Sequence, residues 1–322
     1  MFCSTIIPTI GRLSLSRTVT SILQQSLPDG GSFEVIVVND SGAPLPPADW
    51  QQSPQVRLIH TNRRERSMAR NTGAAAANGR FLHFIDDDDW LEPGALQHFW
   101  HLAQHSDAAW LYGSSQLVDR QARPLIQLHH QISGNCFLQA MAGEWIPLQA
   151  SFIKSEVFFA SGGFNPLLSG PEDIDLLRRI ALRHELAGTG NVVANIVRGE
   201  VGSATDYDRH PEQSRWAREQ ILDESGAFAR MRQSSCLQTG DVPAWRGRVA
   251  RIYFTSTIWN LQRRRFWIAL SRAAWGLVAF VQTGPHLFSG VFWRAFSRPY
   301  ASDTFARGEA AARLASSSRQ AV

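Results

Sequence analysis

Residues 80–94 read RFLHFIDDDDWLEPG: the apolar run Phe81 to Ile85 ends in four consecutive aspartates, Asp86 to Asp89. A short apolar run stopped by charge has the form of a buried strand, which places the aspartates where strand gives way to loop. Four adjacent carboxylates repel one another strongly unless a cation or hydrogen-bond donors offset them. A divalent metal is the economical answer, because hard carboxylate oxygens suit Mg²⁺ or Mn²⁺ and one or two of them suffice beside diphosphate oxygens and water. Taken alone, the run is explained equally well as a solvated acidic turn capping the next helix.

Upstream of this run the chain alternates short apolar stretches with helical patterns: STIIPT from Ser4, a helix over Ser14 to Gln25, FEVIVV from Phe33, VRLIH from Val56 and a helix near Ser67 to Ala77. That is βαβ winding, and the lack of polar alternation in the β-branched runs fits parallel strands covered on both faces. In such sheets ligands gather beyond the carboxyl ends of the strands. Asn39 and Asp40 follow FEVIVV directly and so share that rim with Asp86 to Asp89, although Asp40 equally suits a turn through Asn39-Asp40-Ser41-Gly42.

Downstream, Pro93 suits the first turn of a helix running to about Gln104. A less regular stretch from Ser106 to Asn165 ends in the turn SGGFN. The pattern PEDIDLLRRIALRHEL then predicts a helix whose first turn carries Glu172, Asp173 and Asp175, residue types that the helix dipole favours there without any function. His98, His101 and His105 lie at helical spacing, but no carboxylate partner marks them as metal ligands.

Hydrophobic residues make up 44% of the 322, with 11 Trp and 18 Phe, so the chain is not a disordered one. Cys3, Cys136 and Cys236 are odd in number and scattered, which implies no disulfide framework and fits reduced thiols. Position 1 leads at once into a strand-like run without the regions of a signal peptide, so the expected place of the catalytic part is the cytoplasm. The net charge of +4 hides an asymmetry: residues 244–322 hold 12 Arg against Asp303 and Glu309, leaving about −6 for residues 1–243.

Read together, IIPTIGR, VIVVND, SMARNTGAAAANGRFLHFIDDDDWLEPG and GGFNPLLSGPEDIDLLRRIA resemble the inverting glycosyltransferases of family 2, in order and approximate spacing, over residues 4 to about 205. The resemblance implies an α/β, GT-A nucleotide-diphospho-sugar transferase fold with a mostly parallel sheet flanked by helices, over residues 1–230. It implies that Pro8 and Thr9 help cradle the nucleotide base, Asp40 bonds base or ribose and Arg70 meets the nucleotide or its phosphates. The family's D-x-D pattern falls on Asp86 and Asp88, with Asp88 the direct metal ligand and Asp86 nearer the ribose or metal shell. Asp173 matches the family's general base, and Glu172 beside it would orient the acceptor; the same two residues also suit a helix cap. Ile10 stands where many members have an aromatic residue, and Glu200 where relatives often have histidine.

The resemblance does not reach the C-terminal part. Residues 231–244 read as a linker, 245–300 as amphipathic membrane-interface helices mixing Arg with Trp and Phe, and 301–322 as a disordered tail. A packed helical subdomain with solvated arginines is the competing account. Nucleic acid is disfavoured as a partner because apolar bulk outweighs any stacking platform and the rest of the chain is acidic. The expected whole is a metal-dependent enzyme at the inner face of an anionic membrane, moving a sugar from a nucleoside-diphosphate donor, UDP-linked by expectation, to a lipid-linked or polysaccharide acceptor. Two alternatives stand beside it: a sugar-nucleotide pyrophosphorylase, against which the absence of a Gly-rich basic loop speaks, and an inactive membrane-docked binding protein, against which Asp88 and Asp173 speak.

Overall fold

A computed structural model describes residues 1–28, 30–62, 65–130, 132–168, 170–198, 211–235 and 241–297. Glu200, Arg63, Arg64, Cys236 and the 301–322 tail lie outside the described residues. The strands are β1 (Cys3–Thr9), β2 (Phe33–Asn39), β3 (Val56–His60), β4 (Phe81–Phe84), β5 (Trp90–Leu91), β6 (Trp110–Val118), β7 (Pro124–Leu128), β8 (Ser151–Lys154) and β9 (Leu186–Val197). They form one sheet in the order β3-β2-β1-β4-β8-β6-β9-β5, with β7 beside β6. The β3-β2-β1-β4 half is parallel, β8 runs antiparallel to β4 and β6, and β6 and β9 pair parallel.

Alternation along the central strands divides the core. Ile6, Ile36 and Val38 face α2 (Arg66–Ala75), whereas Ile7, Val35 and Val37 face α1 (Leu15–Leu23). Gly73 lets α2 approach closely, since a Cβ there would stand 2.4 Å from Ile6 Cγ2. Both faces of β1 and β2 are thus covered, as their uninterrupted apolar runs require. β1 and β2 end level, Thr9 opposite Asn39, while the last β1–β4 pair is Ile6 with Phe84. The chain therefore leaves β4 toward the aspartates beside Pro8 and Thr9.

The remaining helices are α3 (Ala95–His105), α4 (Phe137–Ala142), α5 (Ser155–Ala160), α6 (Glu172–Ala181), α7 (Pro211–Leu222), α8 (Ala227–Arg232), α9 (Asp241–Gln262), α10 (Phe266–Val281) and α11 (Gly290–Ser297). α3 starts after Gly94, which adopts a left-handed φ of +79°, so Pro93 precedes the helix instead of opening it. The stretch from Ser106 to Asn165 is far more regular than its sequence suggests and contains β6, β7 and β8. Gly113 and Gly188 permit the β6–β9 pairing: a Cβ at Gly113 would meet Val193 at 2.5 Å, and one at Gly188 would meet the Tyr112 ring at 2.7 Å. α6 stops at Ala181 and not at Leu186, because Ala109 N–H bonds Glu185 O and Leu186 begins β9.

At the C-terminal end, α8 and α9 occupy both ends of the segment expected to be a linker, 231–244. α9 packs against α4, α7, α10 and α11, and its Trp245 is buried in the main core. The first helix of the expected membrane-interface segment is therefore an internal scaffold. Among the described residues no helix is long and apolar enough to cross a membrane.

Candidate active site

The four aspartates part by alternation. Asp87 and Asp89 are buried, 3% and 2% exposed, whereas the side chains of Asp86 and Asp88 are 36% and 38% exposed on the rim. Asp87 accepts from Thr9 Oγ1 at 2.6 Å and from an Arg12 Nη1 at 2.7 Å, and Asp89 accepts the Val197 N–H at 2.7 Å. These bonds tie β1, the aspartate loop and the end of β9 together. The loop is also fixed through its carbonyls, Asp88 O to Arg17 and Asp89 O to Thr18.

Asp86 is held from two sides, by Arg70 Nη2 at 2.7 Å and Gln149 Nε2 at 3.1 Å. Burial alone would raise its pKa, but the charge and hydrogen bond of Arg70, with Arg66 and Arg12 behind it, outweigh burial and keep the carboxyl ionised below its ordinary range. Among the described residues the ion-pair partner of Asp88 is Arg12, at 3.4 Å, and burial together with the negative charge of Asp86 pushes its pKa up. Asp89 is pushed up further by burial, then by Asp86 and Asp88. Asp88 thus sits in a negative potential that Arg12 offsets only in part.

Arg70 joins the aspartate loop to α6. Its Nη1 reaches Glu172 Oε1 at 3.1 Å, and the same carboxylate takes Arg66 Nε at 2.7 Å and the Gly170 N–H at 3.0 Å. Glu172 is 2% exposed and Arg70 is 4% exposed, so both are largely committed to this ion-pair network. Burial and the neighbouring Asp173 raise the Glu172 pKa against the pull of Arg70 and Arg66. The residue expected to orient an acceptor is thus placed as the anchor of two arginines.

Asp173, one residue on, faces a different way. Its Oδ2 accepts the Trp145 indole N–H at 2.8 Å and its Oδ1 accepts the Ile174 N–H at 2.7 Å. Asp175 is buried and paired with Arg179 at 2.8 Å within α6, as a structural helix residue would be. Asp40, 4% exposed, takes Thr61 Oγ1 and the Glu65 N–H, each at 2.6 Å, and its own N–H bonds Thr9 O. Glu65 in turn caps α2 through the Ser67 and Met68 N–H groups.

Pro8, Thr9, Asp40, Arg70, Asp86, Asp88 and Glu172 therefore share one rim and its supporting network, joined to Asp173 through α6. Arg12, Arg66, Trp145 and Gln149 belong to it as well and were missed in the sequence. Arg12 lies inside the IIPTIGR piece and Arg66 one turn before Arg70, so their positions offered a signal. Nothing in the sequence marked Trp145 or Gln149, which come from the stretch that looked irregular.

Among the described residues no three His, Cys, Asp or Glu side chains gather as a metal cage. The donors present do suit a hard divalent ion of the Mg²⁺ or Mn²⁺ kind: Asp88 offers a partly exposed, poorly neutralised carboxylate, Asp86 lies on the same side, and such ions take much of their coordination from water and phosphate.

A family model described as Glycosyl transferase family 2 matches residues 4–165. The putative glycosyltransferase EpsH of Bacillus subtilis (strain 168) is 35% identical over 81 residues, 24% of this chain and 23% of that protein. The succinoglycan biosynthesis protein ExoO of Rhizobium meliloti (strain 1021) is 30% identical over 151 residues, 46% of this chain and 40% of its own length. The match thus spans less than half the length of either relative. Crystal structures of S. aureus TarS 1-349 resemble the chain in fold: the complex with UDP-GlcNAc has a TM-score of 0.58 at 14% identity, covering 88% of this chain and 92% of that one.

Proposed function

This chain belongs to glycosyl transferase family 2 and has the GT-A fold, and we propose that it moves a sugar, with inversion, from a nucleoside-diphosphate donor to a lipid-linked or polysaccharide acceptor at the cytoplasmic face of a membrane. The observation that carries the proposal is the separation of Asp86 and Asp88, open on the rim, from Asp87 and Asp89, buried as struts. A UDP-linked donor is supported by the UDP-GlcNAc and UDP complexes of TarS, and a saccharide acceptor by the role of ExoO in succinoglycan biosynthesis.

In this proposal Pro8, Thr9 and Asp40 line the nucleoside end, where a carboxylate accepts from base N–H or ribose hydroxyl groups. Arg70 holds Asp86 and lends positive charge toward the diphosphate. Asp86 and Asp88 would hold Mn²⁺ or Mg²⁺, which when bound neutralises the charge that develops on the leaving nucleoside diphosphate. Asp173 takes the proton from the acceptor hydroxyl as that oxygen attacks the anomeric carbon from the face opposite the diphosphate. The Trp145 N–H fixes the orientation of that carboxylate.

The test is incubation with a panel of nucleotide sugars, with and without Mn²⁺, following nucleoside diphosphate release and the anomer of the released or transferred sugar by NMR. Metal-dependent release with an inverted anomer is the expected result. Formation of a nucleoside triphosphate from pyrophosphate would instead identify a pyrophosphorylase, and no turnover of any donor would leave a binding protein.

A further inference from the structure

We infer that the outward half of α10, continued by the turn before α11, is a surface that inserts into the interfacial layer of an anionic lipid bilayer. This deepens the membrane side of the proposed function and is independent of the transfer chemistry. Along most of α10 the positions that face the protein are small: Ala269, Gly276 and Ala279 are buried, and a Cβ at Gly276 would stand 3.4 Å from the Phe254 ring on α9, while near its end Phe280 packs against Phe254, Phe292 and Phe296. The opposite positions carry the bulk. Trp267 is 83% exposed, Val281 77% and Phe288, in the following turn, 94%, with Leu270 and Leu277 exposed between them. A surface helix ordinarily buries its apolar side, so this one is inverted and its apolar patch calls for a partner.

Charge selects the partner. Residues 263–297 contain five arginines and no acidic residue. Arg263, Arg264 and Arg265 are exposed where α10 begins, next to Phe266 and Trp267. Arg263 lies 3.8 Å from the centre of the Trp259 ring, and Arg294 is exposed beside Trp293 on α11. Arginine at phosphate level with tryptophan at the boundary is the arrangement of an interfacial helix. With 16 residues α10 is about 24 Å long, short of the roughly 30 Å hydrocarbon core, so it lies along the bilayer.

A second copy of the chain is the rival occupant, because Trp267, Leu270, Ala274, Leu277 and Val281 follow the three-four spacing of a coiled-coil seam. The exposed apolar face spreads past that seam to Ile268, Trp275 and Val278, and residues 263–297 hold no acidic side chain to pair with a partner's arginines; the nearby Glu212 is already engaged by Arg272 and Arg215. A broad apolar face edged by a single sign of charge fits a lipid surface better than a partner helix.

The experiment is flotation of the full chain with vesicles of phosphatidylcholine alone and of phosphatidylcholine with phosphatidylglycerol, at low and high salt. The wild type should float with the anionic vesicles and lose binding as salt rises. Trp267→Glu combined with Leu277→Glu should reduce flotation at least tenfold without lowering the melting temperature. Arg263→Gln, Arg264→Gln and Arg265→Gln together should cost the anionic preference, at about fivefold in partitioning per arginine. A wild type that stays in the soluble fraction overturns the inference, as does a wild-type dimer that the glutamate pair converts to monomer with flotation unchanged. Donor turnover measured in parallel separates the two readings: protein that floats but turns over no donor supports this surface while defeating the transferase proposal.

Discussion

Trp145 donates its indole N–H to Asp173 Oδ2 across 2.8 Å, and the Arg198 guanidinium carbon lies 5.4 Å from the centre of the same indole ring. Trp145 packs on the small apolar cluster of Leu117, Leu128 and Ile196, so the carboxylate at the start of α6 is oriented by a side chain seated on the β6, β7 and β9 strands. A fixed orientation is what the proposed base needs in order to meet an incoming hydroxyl.

Asp173→Asn should therefore keep the fold and donor binding while lowering transfer by roughly two to four orders of magnitude, the scale of a lost general base. Trp145→Phe keeps the ring but removes the N–H, and its loss should fall between wild type and Asp173→Asn, in kcat more than in the KM for donor. Steady-state kinetics with a soluble acceptor decides it. Near-normal turnover by Asp173→Asn would return the residue to a capping role.

Replacing neighbouring aspartates should have opposite consequences. Asp88→Ala should abolish Mn²⁺-dependent binding of UDP in calorimetry and leave stability nearly unchanged, since its ion-pair partner among the described residues, Arg12 at 3.4 Å, is itself half exposed. Asp87→Ala should lower stability by about 1–3 kcal/mol, because it takes the acceptor from the buried Thr9 hydroxyl and the nearer of two carboxylates from Arg12, while retaining some metal-dependent binding. If both variants lose UDP binding without losing stability, the division of the run into rim and strut is mistaken.

That division was only partly legible in the sequence. The parallel half of the sheet stood out because β1, β2 and β4 are covered on both faces and need unbroken apolar runs, and the position of Asp40 and Asp86 followed from where those runs stop. The β6–β9 half did not stand out. Its strands depend on Gly113 and Gly188 for close pairing, and glycine, serine and asparagine in WLYGSSQLV and LAGTGNVVANIV erase the local β signal that the long-range register restores. For the same reason Trp145 and Gln149 were invisible as partners of Asp173 and Asp86. Glu172 was noticed as a candidate, but its burial against Arg66 and Arg70 is a property of tertiary packing that spacing alone does not carry.

Glu172→Ala should be among the most damaging single changes near the site. It leaves Arg70, buried beside Asp86, without its second carboxylate, and removing one member of a buried ion-pair network costs about 3–5 kcal/mol. Chemical denaturation should show that loss, with Glu172→Gln intermediate. A Glu172→Ala protein of normal stability whose acceptor KM alone rises would favour the acceptor-orienting role over the anchoring one.

His83 supplies the pH prediction. The ring is fully buried in β4, its Nδ1 3.1 Å from Thr5 Oγ1 and its Nε2 3.0 Å from the Gln149 carbonyl oxygen, and burial pushes its pKa down from 6.5 to about 4. Between those values the unfolded chain binds a proton that the folded chain does not, so stability falls as pH drops from about 6.5 toward 4 and is insensitive to this group above that window. The full shift corresponds to about 3 kcal/mol at the acid end. Urea denaturation at pH 7 and pH 5 measures the effect, and His83→Gln, which cannot titrate, should flatten the pH dependence. An equally steep dependence in that variant would assign the acid sensitivity to other groups.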